Sequence, residues 1–183
     1  MPADMKALRD QPFDLLLAMD ARLRGSRTTV AAVEQTWVGL RFSVAGHWLL
    51  APQDNVREIL TLPNYSRIPN ARSWMLGLAN VRGSLLPIVD LRALLLGEPG
   101  EIKDNSRVLV LESDDVPAGF LVDNVAGFGS FSPQEQRHDK VATDAPEPLL
   151  EFLLGAFVRD GETLFVFSLA KLANSTIFQQ AAA

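Results

Sequence analysis

The sequence predicts a mainly β domain, and three observations carry that prediction. Apolar residues fall in short runs bounded by Gly, Pro, Asn, Asp and Ser, the pattern of strands separated by turns. One run, Thr36–Val44, alternates apolar and polar positions with a period of two. Turn signals recur at a spacing of roughly 8–12 residues, as in sandwiches and barrels. About nine or ten short strands are expected, with no strand–helix alternation of the kind that builds a parallel sheet. No internal repeat and no low-complexity tract is visible.

Bulk composition narrows the function classes. The chain has 183 residues, 48% of them hydrophobic, enough for one globular domain or two tightly joined halves. Its formal net charge is -5 and its basic residues are scattered. That argues against nucleic acid, whose phosphates demand a basic patch. With no cysteine, thiol chemistry, disulfides and thiolate metal sites are excluded. The N-terminus lacks the pattern of a secretory signal, and no apolar run approaches the roughly 20 residues that cross a bilayer. A cytoplasmic protein without direct membrane insertion is expected.

In chain order, residues 12–24 read as a short amphipathic helix. Pro12 and Asp14 suit its first turn, Leu15, Leu16, Met19 and Leu23 share a face, and Gly25 stops it. This helix either packs on its own domain or docks a partner. Residues 1–33 form an N-terminal extension with a linker. In Thr36–Val44, Trp37, Leu40 or Gly39, Phe42 and Val44 are expected on one face. Ala45-Gly46 is a tight turn, His47–Ala51 the returning strand, and Asn55–Leu62 the next. Trp74–Ala79 and Leu85–Val89 read as two buried strands joined by Asn80-Val81-Arg82-Gly83-Ser84. Asp90 is placed to cap a helical turn over Leu91–Leu96.

Gly97–Ser106 is a polar loop, and a change of subdomain is expected near 97–106. Arg107–Leu111 and Ala118–Val122 form a hairpin, and Asn124–Phe131 is a further strand whose glycines permit a bend. Ser132 caps a turn at Pro133–Glu135, and Gln136–Pro148 reads as a polar loop. Leu153–Val158 and Thr163–Phe167 pair across Asp160-Gly161. Ser168–Asn174 is a closing helix, and residues 179–183 are a frayed tail.

Catalytic chemistry is thin. The histidines are His47, at a hairpin start, and His138, in a polar loop with Glu135 and Asp139. No nucleophile elbow, phosphate-binding loop or dinucleotide fingerprint is present. Gly127-Phe128-Gly129 is a lone pair of glycines within a strand, and Asp114-Asp115 sit at a turn tip. A small β-barrel hydrolase or ligand-binding protein using Glu58, Asp90 or His138 is the rival to a module that works by binding.

The block IPNARSWMLGLANVRGSLLPIVDLRALL resembles the signature of the CheW family, the adaptors of bacterial chemosensory arrays. It holds a proline turn, an apolar strand with Gly, then N-[LV]-R-G, then a strand ending P-[IV]-[IV]-D-L. Asn55–Ile59 is similar to that family's V-x-E-[IV] strand. Arg107–Phe131, Leu154-Gly155 and Leu164–Leu172 are similar to its later strands and closing helix. The similarity spans roughly residues 34–178, and the N-terminal segment resembles the PilI branch, which serves type IV pilus twitching.

The resemblance implies two five-stranded β-barrel subdomains side by side and no catalysis, and no cofactor or metal is expected. It implies an adaptor that bridges the regulatory domain of a CheA-type histidine kinase and the cytoplasmic tip of a methyl-accepting chemoreceptor. A flagellar rather than pilus pathway is the alternative. By motif position it carries over Val56, Glu58, Gly77, Asn80, Val81, Arg82 and Gly83, and in the second half Val122, Asp123 and Val125. For the valines and glycines, core packing and turn geometry are the plainer roles. Arg82 either pairs with Glu58 as a partly buried strut or points outward to a partner.

Overall fold

A computed structural model describes residues 36–113, 116–137 and 139–180. The helix expected at 12–24, the extension 1–33, Asp114-Asp115, His138 and the last three residues lie outside them. Among the described residues, eleven strands form two sheets. They are β1 (Trp37–Val44), β2 (His47–Pro52), β3 (Val56–Leu60), β4 (Tyr65–Ser66), β5 (Met75–Val81) and β6 (Ser84–Asp90). After helix α1 (Leu91–Leu96) come β7 (Arg107–Leu111), β8 (Gly119–Val122), β9 (Asn124–Phe131), β10 (Leu153–Arg159) and β11 (Glu162–Phe167). Helix α2 (Asp139–Asp144) precedes β10, and α3 (Leu169–Ala173) and α4 (Thr176–Gln179) close the chain.

The first sheet has the order β10-β11-β2-β1-β9, the second β3-β7-β8-β6-β5-β4. The fold is mainly β in two subdomains, as the sequence predicts. The second sheet has six strands rather than five, because the two-residue β4 covers the edge of β5. The chain changes sheet at the turn Gln53–Asn55 and again at Asp123, not near 97–106. The 97–106 loop is polar because it crosses the outside of one subdomain. It is the crossover that lets β6 and β8 pair in parallel, with β7 on the far side of β8. A second parallel pair joins β11 to β2. Both form without the strand–helix alternation that builds a parallel sheet, so nothing in the sequence reading points to them. The residues that pair are too few for the buried runs typical of parallel sheets to stand out in sequence.

Three apolar clusters account for the burial. Trp37, Leu50, Phe131, Phe157, Leu164 and Val166 fill the first subdomain. Ala79, Leu86, Ile88, Val108, Val110 and Leu121 fill the second. The largest cluster draws on both sheets, with Leu40, Phe42, Leu49, Val89, Leu109, Phe120 and Phe167 among it. Strands therefore bury both faces. Leu49, Leu50 and Ala51 run consecutively because Leu50 points into its own subdomain while its neighbours point at the other. Trp37 lies on the opposite face from Leu40, Phe42 and Val44, as odd and even positions of one strand must, so the single shared face expected for them does not form.

The two halves are built to one plan. Met75, Gly77, Asp90 and Leu91 have counterparts 78 positions later in Leu153, Gly155, Ser168 and Leu169. Each hairpin slips register between the first two of those positions. Each turns on two left-handed residues: Arg82 (φ 52) with Gly83 (φ 87), and Asp160 (φ 52) with Gly161 (φ 79). This is the I′ geometry that matches strand twist. Each runs into a capped helix, with Asp90 accepting from the Ala93 amide and Ser168 from that of Lys171. At both changes of sheet the sequence reads Asp-Asn-Val, at 54–56 and 123–125. The fold is thus an internal repeat that the sequence reading does not find, permuted so that β1–β2 completes the subdomain begun by β9–β11.

Two further elements differ from expectation. Within the supposed loop 136–148, α2 forms, supported by a 3.2 Å Lys140–Asp144 pair one turn apart. The tail expected from 179 onward begins inside a helix. Gln179 ends α4, whose Phe178 stacks on Trp74 at 5.9 Å between ring centroids.

Candidate functional site

The bulge between Val56 and Glu58 sets Glu58 opposite Val110, a residue of the second subdomain's interior. Its carboxylate comes to rest at the mouth of that interior with a side-chain exposure of 15%. The β5–β6 turn brings Arg82 over it. Arg82 Nη2 lies 2.8 Å from Glu58 Oε2, and Arg57 Nη2 lies 3.7 Å from Oε1. The Arg82 contact is ionic, because its alignment falls short of a hydrogen bond and Oε2 has no other partner. Asn80 Oδ1 accepts from the Gly83 amide at 2.9 Å and stiffens the turn. Arg57, Glu58, Val81, Arg82 and Ser84 line a shallow cavity of about 380 Å³.

Arg82 is not a buried strut. Its side chain is 80% exposed, so it pairs with Glu58 and also faces solvent. A turn tip cannot enter the core, and the two left-handed residues swing it clear. Such a pair is worth about 0.5–1 kcal/mol, since one partner stays in water. Its second effect is a charge surplus: two guanidinium groups share one carboxylate, leaving about one unmatched positive charge at the turn. Leu85 is 67% exposed on the adjoining strand, and Ile59 is 36% exposed on β3. Arg57, Ile59 and Leu85 are the functional candidates that sequence reasoning misses. Leu85 sits in the run Leu85-Leu86-Pro87, where nothing local says which leucine faces water.

The other residues carried over play different parts. Val56 is half-buried against the central cluster, and Val81 against the second interior. Gly77 is required by a close approach, because a methyl there would overlap the Ser66 carbonyl of β4. Val122 is buried and Val125 half-buried in the central cluster. Asp123 staples the change of sheet: its Oδ2 accepts from the Ala45 amide at 2.6 Å, and its own amide donates to Ser43 O at 3.0 Å. These three line no part of the Glu58 cavity, so the two halves of the expected set are not brought together.

Of the residues of the rival, catalytic reading, Glu58 and Asp90 are each committed to structural partners, and His138 lies outside the described residues. Asp90 is 4% exposed and accepts from the amides of Ala93 and Gly100, both at 3.0 Å. Glu58 spends its charge on arginines. Among the described residues no group of three or more His, Asp or Glu stands ready to hold a metal, and no helix is long and apolar enough to cross a membrane. The strongest electrostatic feature is elsewhere. Arg159 donates to both oxygens of Glu135, at 2.6 and 3.0 Å, and to Ser130 O at 2.6 Å, while lying over the Phe131 ring. The Arg159 hydrogen bond holds the Glu135 carboxyl down from 4.5 to about 2, helped by the Ser132 amide. This clasp joins β10 to the end of β9.

Comparison with known proteins agrees with the architecture. The family model described as CheW-like domain matches residues 38–176. Protein PilI of Pseudomonas aeruginosa is 37% identical over 166 residues, covering 89% of this chain and 92% of that protein. FrzA of Myxococcus xanthus is 30% identical over 141 residues, covering 73% and 83%. Among solved structures, the scaffolding protein TtCheW of Thermoanaerobacter tengcongensis has the same fold, with a TM-score of 0.66 at 20% identity over 78% of this chain and 95% of that one. The chain belongs to the family defined by the CheW-like domain.

Proposed function

We propose that the chain is a non-enzymatic adaptor that couples methyl-accepting chemoreceptors to a CheA-type histidine kinase. Its place is the cytoplasmic face of membrane-bound receptor arrays, in the pathway that controls type IV pilus twitching. The similarity to PilI over nearly the whole chain supports the pilus branch over the flagellar one. The observation that carries the docking role is the mouth of the second subdomain. The exposed Arg82, paired with Glu58 and carrying a surplus positive charge, forms a polar anchor, and the strands that flank it, β3 and β6, each expose an apolar side chain, Ile59 and Leu85. Such a surface suits a partner that brings a carboxylate and apolar side chains.

The test is capture of the purified protein by a CheA-type regulatory domain and by a receptor-tip fragment. Because Arg82 is a turn residue exposed to solvent, Arg82→Ala is expected to fold normally and to weaken capture at least tenfold. Arg82→Lys restores part of it, since charge returns without the planar fork. A folded wild-type protein that binds neither partner overturns the adaptor reading. Loss of swimming but not of twitching on deletion of the gene reassigns the pathway.

A further inference from the structure

A second polar cleft lies apart from the Glu58 mouth, where the two sheets meet. It has a volume of about 340 Å³ and is walled by the β1–β2 hairpin, α1, the 97–106 loop and the chain crossing at Asp123-Asn124. The loop wall is pre-set by side-chain bonds. Asp90 Oδ2 accepts from the Gly100 amide, Ser106 Oγ accepts from that of Lys103 at 3.0 Å, and Arg107 Nη1 donates to the carbonyls of Asp104 and Ser106 at 2.7 Å. An irregular segment pinned this heavily is arranged for more than connection.

The charges in the cleft are unevenly committed. Glu101 pairs with Lys103 at 3.3 Å, and Asp123 Oδ2 takes the Ala45 amide. Arg92 lines the cleft, and its Nε is buried with no acceptor among the described residues. A buried donor left unpaired costs about 1–3 kcal/mol. Asp123 Oδ1 lies close by across the bare Gly100 backbone, where a Cβ would stand 3.4 Å from Arg92 Cδ and 3.6 Å from that oxygen. Asn124 accepts the Val125 amide through Oδ1, which leaves its NH₂ to donate.

A cation with an acceptor beside it asks for an anion with a donor beside it. We propose that the cleft binds a small α-substituted carboxylate, an α-amino or α-hydroxy acid, with its carboxylate on Arg92 and its ammonium or hydroxyl toward Asp123. Bound there, the ligand joins Ser43 and Gly46 of the first sheet to α1 and the loop of the second, and so stiffens the angle between subdomains.

The test is thermal unfolding of the full chain titrated with L-serine, L-malate, acetate and inorganic phosphate. L-serine or L-malate is expected to raise Tm saturably, acetate and phosphate are not, and Arg92→Gln abolishes the rise while keeping its own cooperative transition. Should Arg92→Gln fail to fold, Lys103→Met and amide chemical-shift mapping on the wild-type chain replace it, with shifts expected at Asn105, Asp123 and Asn124. No saturable response to either α-substituted acid overturns the proposal. So does a rise that phosphate reproduces equally, or one that Arg92→Gln retains.

Discussion

Asp90 gives the sharpest stability test, because its counterpart Ser168 provides an internal control. Both residues cap a short helix after an equivalent strand. Ser168 accepts one amide, from Lys171 at 3.0 Å. Asp90 is 4% exposed, carries a charge and accepts two amides, from Ala93 and Gly100. Loss of a cap costs about 1 kcal/mol, and each buried donor stranded from a charged acceptor about 1.5–3 kcal/mol. Ser168→Ala is therefore expected to lose about 1 kcal/mol and Asp90→Ala about 2.5–4 kcal/mol, a large share of the 5–15 kcal/mol typical of a domain. Asp90→Asn keeps one acceptor and sets an NH₂ against the second amide, so it falls between them. Urea unfolding at neutral pH reads the differences as shifts in midpoint at constant slope. Asp90→Ala no more costly than Ser168→Ala refutes the reasoning, because the second bond to the loop is then worth nothing.

Three other expectations concern the clasp, the mouth and a close approach. Glu135 has a depressed folded pKa, so its contribution is present above the usual 4.5 and is lost as pH falls toward about 2. With Arg159 38% exposed, the screened value is about 1–2 kcal/mol, and Glu135→Gln is expected to flatten that limb of the acid-unfolding curve. A double-mutant cycle on Glu58→Gln and Arg82→Ala is expected to show coupling of about 0.5–1 kcal/mol, and strictly additive losses would mean that the pair contributes nothing. Gly77→Ala is expected to detach β4 and cost about 3 kcal/mol or more through overlap with Ser66, read by chemical denaturation and by new protease cleavage near Tyr65.

Strand positions were legible where local chemistry decides them. Asp160-Gly161 and Ala45-Gly46 mark their hairpins, Asp90 its helix, and Ser132 its turn, because each depends on residues within a few positions. Sheet membership was not legible. It depends on which apolar face meets which across the molecule, and with both faces buried the alternation that reveals a face is absent, as at Leu49-Leu50-Ala51. The repeat escapes for a related reason: interior positions are interchangeable among apolar residues, so Ile88 and Val166 do one job without identity. At the candidate site, Glu58 and Arg82 are found through their family motif. Their pairing needs the bulge at Val56, and the exposure of Arg82 needs two left-handed turn residues. Neither is written in composition or period.

The permuted repeat has a consequence for how the chain is made. Strands β3 to β8 are consecutive, so the second subdomain can close as soon as Val122 has left the ribosome. The hairpin β1–β2 emerges before them yet can be completed only by β9 and β11, the latter more than a hundred residues of synthesis after Trp37. Until Phe167 appears, Leu50 has no interior to enter, and an apolar hairpin waits in water beside a finished neighbour. Vectorial synthesis therefore builds the later-encoded subdomain first and leaves the first-made strands as its last guests, the interval in which this chain is most exposed to aggregation and to chaperones.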